Sequence, residues 1–292
     1  MSALDLGPRD VQVPLEDLTF KVKRRSLPWV TLLIVGFFIF VGLFAPLLTS
    51  YSPTAPDLIN RLQPPSAEHW LGTDSLGRDM VTRLFHGARI TLTVVTFALL
   101  MGSGVGLVLG MVAGYFGGAV DAVISRIVDA VLSIPGLFFG LLFAATLGTG
   151  IKSVVFAISL ILWSRFARVI RSEVRSIRER DFVSQSRVIG CSRLRTIVVH
   201  VFPNVLSTIM VLVSINLGEV ILLEAALSFL GAGIPPPNPS WGAMIAEGQR
   251  YLTTAWWMAL TPGVAILLAV LSVNLLGDWV RERLDPRLRD KV

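Results

Sequence analysis

The chain has 292 residues, 53% of them hydrophobic and only 16% charged, with a mean hydropathy of +0.69. A water-soluble domain keeps roughly a quarter of its residues charged, so this composition excludes an ordinary soluble enzyme and indicates a protein of the bilayer. The net charge is +6, and the arginines flank apolar runs, which favours charge at a membrane edge over a nucleic-acid partner.

Residues 1–27 form a tail carrying Lys21, Lys23, Arg24 and Arg25. The apolar run behind them starts too far from Met1, and without small residues at its end, to be a cleaved signal peptide. It is expected as a retained first span over 28–49, bounded by Pro28 and Pro46. Residues 50–89 are polar, with Pro53, Pro56, Pro64 and Pro65, and are expected as an extramembrane loop too short for a large core of its own.

From 90 to 120 no residue is charged, which exceeds the ~20 residues needed to cross ~30 Å of hydrocarbon. The expectation is a second span followed by a turn over 114–120. Asp121, Arg126 and Asp129 precede a third uncharged run at 130–151. A fourth run at 153–164 is short, and spans only if its helix continues to about Ile170 with arginines reaching for the interface. The fifth run, 201–230, is interrupted by Glu219 and Glu224; a Pro-rich loop at 231–249 leads to a sixth at 251–277. The result is an all-α integral membrane protein with six transmembrane helices, five of them in a core at 90–280, and a charged tail at 281–292. Basic residues at 21–25, 165–195 and 281–291 set both termini in the cytoplasm, and the four arginines of the loop at 49–89 are matched there by four acids.

Glycines recur at every fourth position in the second span: Gly102, Gly106, Gly110 and Gly114, then Gly118. A stripe without side chains lets another helix come close, and a translocation surface is the competing reading. Arg165, Arg168, Arg171, Arg175 and Arg178 form one basic helical face, either an anchor at the membrane edge or a docking surface. Asp129, Glu219 and Glu224 lie in or beside apolar runs, where an ionised acid costs about 2.5–3.5 kcal/mol at a helix centre. They are candidates for a translocation path or gate. Asp129 has Arg126 three residues back as a local partner, and Glu224 could equally tether the Pro-rich loop.

The segment 179–203 holds Asp181, Gln185, Ser186, Gly190, Arg193 and Pro203. Gly190 suits the end of one short helix and Pro203 the start of the next, giving a cytoplasmic helix–turn–helix between two spans. The single Cys191 permits no internal disulfide, and His69, His86 and His200 lack metal-ligand spacing. The stretch from Gly72 to Gly77 lacks the lysine of a phosphate loop, so no nucleotide site, cofactor or metal is expected in this chain. A membrane enzyme would need a catalytic constellation that does not stand out, and an ion-coupled secondary transporter would need an internal repeat that is not evident.

Four stretches, in order, carry a family resemblance. They are His69-Trp-Leu-Gly-Thr-Asp-Ser-Leu-Gly-Arg-Asp79 running on to Gly87-Ala-Arg89, the loop at 181–204, Glu224-Ala-Ala-Leu-Ser-Phe-Leu-Gly231 with Pro-Ser-Trp-Gly242 after it, and Asp285-Pro-Arg-Leu-Arg289. The loop resembles the EAA loop of ABC-importer permeases, and the set is similar to the dipeptide/oligopeptide, or nickel, permeases of the second-subunit kind. That resemblance implies a type I importer fold in a bacterial or archaeal inner membrane. It further implies a homologous permease partner, two ATPase subunits that bind ATP and magnesium, and an extracytoplasmic substrate-binding protein. The 181–203 loop would seat in the ATPase, with peptide as substrate and nickel or another small solute as the alternative. Gln185 and Ser186 stand where the family's loop carries two adjacent alanines, which would permit close seating against the ATPase.

Overall fold

The structure is a computed structural model that describes residues 28–284. The tail at 1–27, with Lys21 to Arg25, and the motif from Asp285 to Arg289 lie outside the described residues. The helices are α1 (Trp29–Leu48), α2 (Met80–Phe116), α3 (Gly118–Leu132), α4 (Gly136–Leu147), α5 (Ile151–Arg178), α6 (Asp181–Val188), α7 (Arg193–Arg195), α8 (Phe202–Phe229), α9 (Trp241–Gly248) and α10 (Trp257–Leu284).

Helices α1, α2, α5, α8 and α10 are each long and apolar enough to cross a bilayer, whereas α3 and α4 qualify only as a pair, bent by 86°. The pairing of α2 with α5 settles how that pair is used. A Cβ built on Gly102, Gly106, Gly110 and Gly114 would meet Leu162, Phe166, Ile170 and Val174 in turn. Both sets advance by four, so the two helices run side by side in the same direction. The end of α2 and the start of α5 therefore sit at opposite ends of the bundle, and residues 118–147 must carry the chain across. With the bent pair taken as one passage, the described residues make six crossings, and an even number returns Trp29 and Leu284 to one end. That end also holds α6 and α7 and is here called the hinge end; residues 49–79 and 230–256 form the loop end.

Several expected boundaries move. The loop after α1 stops at 79 rather than 89, because the Asp79 carboxylate accepts from the Thr82 backbone N–H at 2.8 Å and starts α2 early. Helix α2 then runs on to Phe116 instead of turning at Gly114, and breaks only at Gly117, whose φ of +67° suits glycine. Its 37 residues measure about 55 Å at about 1.5 Å per residue, well beyond the hydrocarbon. The third span is broken rather than straight. Pro135 offers no N–H and disfavours helical backbone at Ile134, so α4 is left with 12 residues, about 18 Å.

Helix α5 continues for 28 residues, about 42 Å, and so projects past the membrane at the hinge end. Pro203 stands at the start of α8 as expected, but helical backbone already precedes it. Helical backbone resumes at Arg193, passes through a wider π-type turn over Thr196–Val201, and Pro203 stands in the first turn of α8. The last helix extends past Gly277 through charged residues to Leu284.

Candidate functional site

The glycine stripe belongs to the α2–α5 contact. A Cβ on Gly106 would lie 2.5 Å from the Phe166 Cβ and 2.6 Å from the Trp163 carbonyl oxygen. On Gly114 it would lie 2.7 Å from the Arg171 carbonyl oxygen. All four glycines are buried, so none borders an open path, while Gly104 is exposed with nothing near it.

The basic face of α5 does not stand free. Arg165 donates to the Glu219 carboxylate of α8, and Arg168 Nη2 donates to Asp129 Oδ1 of α3 at 2.6 Å. Arg171 donates through Nε and Nη2 to the two oxygens of Asp121 on α3, and Arg178 Nη1 to the Tyr115 carbonyl oxygen at 2.9 Å. Asp129 therefore pairs across helices with Arg168, in place of the local Arg126. Sequence periodicity finds the arginine stripe, but the acids answering it lie about 40 to 55 residues away and on two other helices.

Glu224 has a different environment from Asp129 and Glu219. It is fully buried, accepting from Thr91 Oγ1 of α2 at 3.1 Å and from Ser228 Oγ one turn along at 2.9 Å. Ser228 Oγ in turn accepts from the Ile234 N–H at 3.3 Å, which ties down the start of the loop after α8. This arrangement is a polar brace between α2, α8 and that loop.

At the hinge end, α6 is anchored by Val183 and turns at Gly190, whose φ is +83°. Ser186 does not face outward with Gln185. It is 3% exposed, and its hydroxyl donates to the Val183 carbonyl at 2.8 Å and lies 3.4 Å from Thr196 Oγ1. Of the two positions that depart from paired alanines, only Gln185 reaches the outer surface. Asp181 and Arg193 are exposed beside it, and Ser192 caps α7 by accepting from the Arg195 N–H at 3.4 Å. The crest of this hinge is apolar: Val188 is 87% exposed, Ile189 78% and Leu194 71%. Such a crest outside the spans is costly in water unless another surface covers it.

The loop end holds an ionic clasp that single-residue inspection misses. Asp74, 0% exposed, accepts from the Leu76 and Arg78 backbone N–H groups at 2.8 and 2.9 Å, from Arg78 Nε at 2.6 Å, and from Arg83 Nη1. Glu247 of α9 completes it, accepting from Arg83 Nη1 at 2.8 Å and from Arg78 Nη2 at 3.3 Å. His69 Nδ1 lies 3.0 Å from Asp79, and Trp257 Nε1 donates to the Thr73 carbonyl at 3.0 Å. Gly72 has φ +73°, and a Cβ there would lie 2.6 Å from the Gln63 carbonyl and 2.7 Å from Trp257 Nε1. The stretch from His69 to Asp79 is thus a knot that joins α2, α9 and α10. The sequence marks this stretch by its family resemblance and by the match of four acids to four arginines in the loop, but gives no sign of Glu247 as the partner.

Residues 106–290 match the family described as binding-protein-dependent transport system inner membrane component, and residues 14–65 match the N-terminal TM domain of oligopeptide transport permease C. The dipeptide transport system permease protein DppC of Alkalihalophilus pseudofirmus is 40% identical, over 94% of this chain and 91% of its own length. The di/tripeptide transport system permease protein DppC of Pseudomonas aeruginosa is 37% identical, over 89% and 88%. The nickel transport system permease protein NikC of Escherichia coli K12 is 38% identical, over 93% and 98%. Among solved structures, the MetNI methionine ABC transporter in an inward facing conformation aligns with a TM-score of 0.57 at 18% identity, covering 70% of this chain and 98% of that one. At that identity the likeness concerns the fold.

Proposed function

Because this chain belongs to the family of binding-protein-dependent transport system inner membrane components, we propose that it lines one half of the path by which an ATP-driven importer moves dipeptides or oligopeptides. As a family member it is a transport subunit of the inner membrane and not an enzyme, and it works with an ATPase and a binding protein. A homologous permease forms the other half of the path, and two ATPase subunits bind the ATP and magnesium.

The observation that carries this reading is the exposed apolar crest of the hinge, Val188, Ile189 and Leu194, held beyond the spans by α5. An ATPase groove would cover it, and movement of the groove would pull directly on α5 and α8, the helices on either side. Coupling runs through rigid elements, with Asp181, Gln185 and Arg193 at the rim of the contact and Gly190 and Pro203 shaping the turns. Ile189→Asp should put a charge into that contact and lower uptake about tenfold or more, the effect of about 1.4 kcal/mol. The assay is peptide uptake by complexes that still contain the ATPase subunits. Wild-type uptake with the ATPases bound would exclude the hinge as the coupling element.

The hinge end faces the cytosol in this reading, supported by nine arginines between 165 and 195. Cys191 should then react with an impermeant maleimide in inverted vesicles and stay unlabelled in intact cells. The reverse pattern would turn the molecule over. Peptide is favoured as solute by the two DppC relatives, and the 38% identity to NikC keeps nickel as the second reading. Uptake of labelled dipeptide, oligopeptide and nickel, in cells stripped of their own importers, separates the three.

A further inference from the structure

Two of the ion pairs on α5 are in an unusual position for charges in a membrane protein. The Arg165 and Glu219 side chains are 40% and 51% exposed, and those of Arg168 and Asp129 are 52% and 59% exposed. Glu219 stands ten residues before Phe229, the end of α8, so it lies about 15 Å in from the loop end at about 1.5 Å per residue. At that depth half-exposed charges facing lipid are strongly disfavoured, so this stripe of α5 faces water or protein. A crevice of about 60 Å³, between Ile124, Ser125, Val128 and Ala167, opens beside the second pair. The stripe is neutral overall, with two cations and two anions, and successive pairs are one helical turn apart along α5.

Where such a stripe faces the water of a translocation path, its ion pairs are weak and their members exchange partners readily. A solute with a carboxylate at one end and an ammonium at the other can replace both members at once. Its carboxylate takes the arginine, its ammonium takes the acid, and no charge is left bare at membrane depth. We propose that Arg165–Glu219 and Arg168–Asp129 are two successive exchange sites for the charged termini of a zwitterionic solute, along the translocation path. This rests on the peptide reading above and adds its substrate contacts. Arg171–Asp121, less exposed at 31% and 17%, remains a brace between α5 and α3.

The test uses the full complex in membrane vesicles, with Cys191→Ser as background. Val169→Cys, one turn along α5 from Arg165 and outside both pairs, should react with a charged thiosulfonate reagent, and saturating dipeptide should slow that reaction. R165Q and E219Q should each lower dipeptide uptake about tenfold or more in complexes that still assemble, the effect of about 1.4 kcal/mol. The double exchange R165E/E219R restores an ion pair with reversed polarity and should leave uptake equally low. Recovery of uptake in the double exchange would reduce the pair to a brace and overturn the proposal. So would wild-type uptake in R165Q and E219Q, or a Val169→Cys that never reacts. If the unmodified complex takes up no dipeptide at all, the peptide reading itself fails, which is a result separate from any of these.

Discussion

Gly106→Leu should leave α2 and α5 unable to dock, so that the protein fails to accumulate as a monodisperse species after detergent extraction. A Cβ at position 106 would approach the Phe166 Cβ at 2.5 Å and the Trp163 carbonyl oxygen at 2.6 Å, and the second of these is backbone. A side chain could swing away, but a carbonyl inside a helix cannot move without breaking its own hydrogen bond. Overpacking in a core costs about 1–3 kcal/mol where neighbours can adjust. Here the α2–α5 contact runs through four successive glycines, so one wedge lifts several turns at once. Gly104→Leu is the matched control, since that glycine is exposed and a Cβ there meets nothing within 4 Å. Size-exclusion profiles and yields of the two variants decide the matter. Equal behaviour would mean that the stripe does not set the distance between the helices.

Asp74→Ala should produce the largest loss of stability from any single change at the loop end. The mutation leaves Arg83, whose side chain is 1% exposed, with Glu247 as its remaining acidic partner. Removing one member of a buried ion pair costs about 3–5 kcal/mol, because the remaining charge is desolvated without compensation. For a chain of this size that corresponds to a fall of roughly 10 °C in unfolding temperature. Glu247→Gln should cost much less, because Glu247 is 27% exposed and Asp74 still holds both arginines. Arg83→Met should fall between the two, since Asp74 keeps Arg78 and two backbone donors. Thermal unfolding followed by tryptophan fluorescence reads the order. An order with Glu247→Gln as the most damaging would show that the partly exposed acid, rather than the buried one, holds the clasp.

The clasp and the arginine stripe show how far sequence reasoning carries. Arginines at 165, 168 and 171 are visible as a face because a helix repeats every 3.6 residues. Their partners Glu219, Asp129 and Asp121 have no local mark, and Arg126 is the nearer candidate for Asp129 by spacing alone. The inward turn of Ser186 is equally hidden: helix geometry sets Gln185 and Ser186 on different faces, but packing beside Thr196 selects which of them turns inward. Charge also misleads about helix ends. Arg83, His86 and Arg89 suggest a loop before the second span, yet α2 includes all three, because the clasp neutralises Arg83 and Asp79 caps the helix.

Sequence alone determined that this is an all-helical membrane protein with six apolar passages, and that an arginine-rich hinge lies between the last pairs of them. Lipid offers the backbone no hydrogen-bond partners, so each passage must satisfy its own as a helix, and length and hydropathy read directly as spans. That the third passage is two helices meeting at 86°, that α2 and α5 run in the same direction, and which acid answers each arginine were settled by packing in three dimensions. Those depend on contacts such as Arg78 with Glu247, 169 residues apart, where the approach of whole helices, and not any local preference, selects the partner.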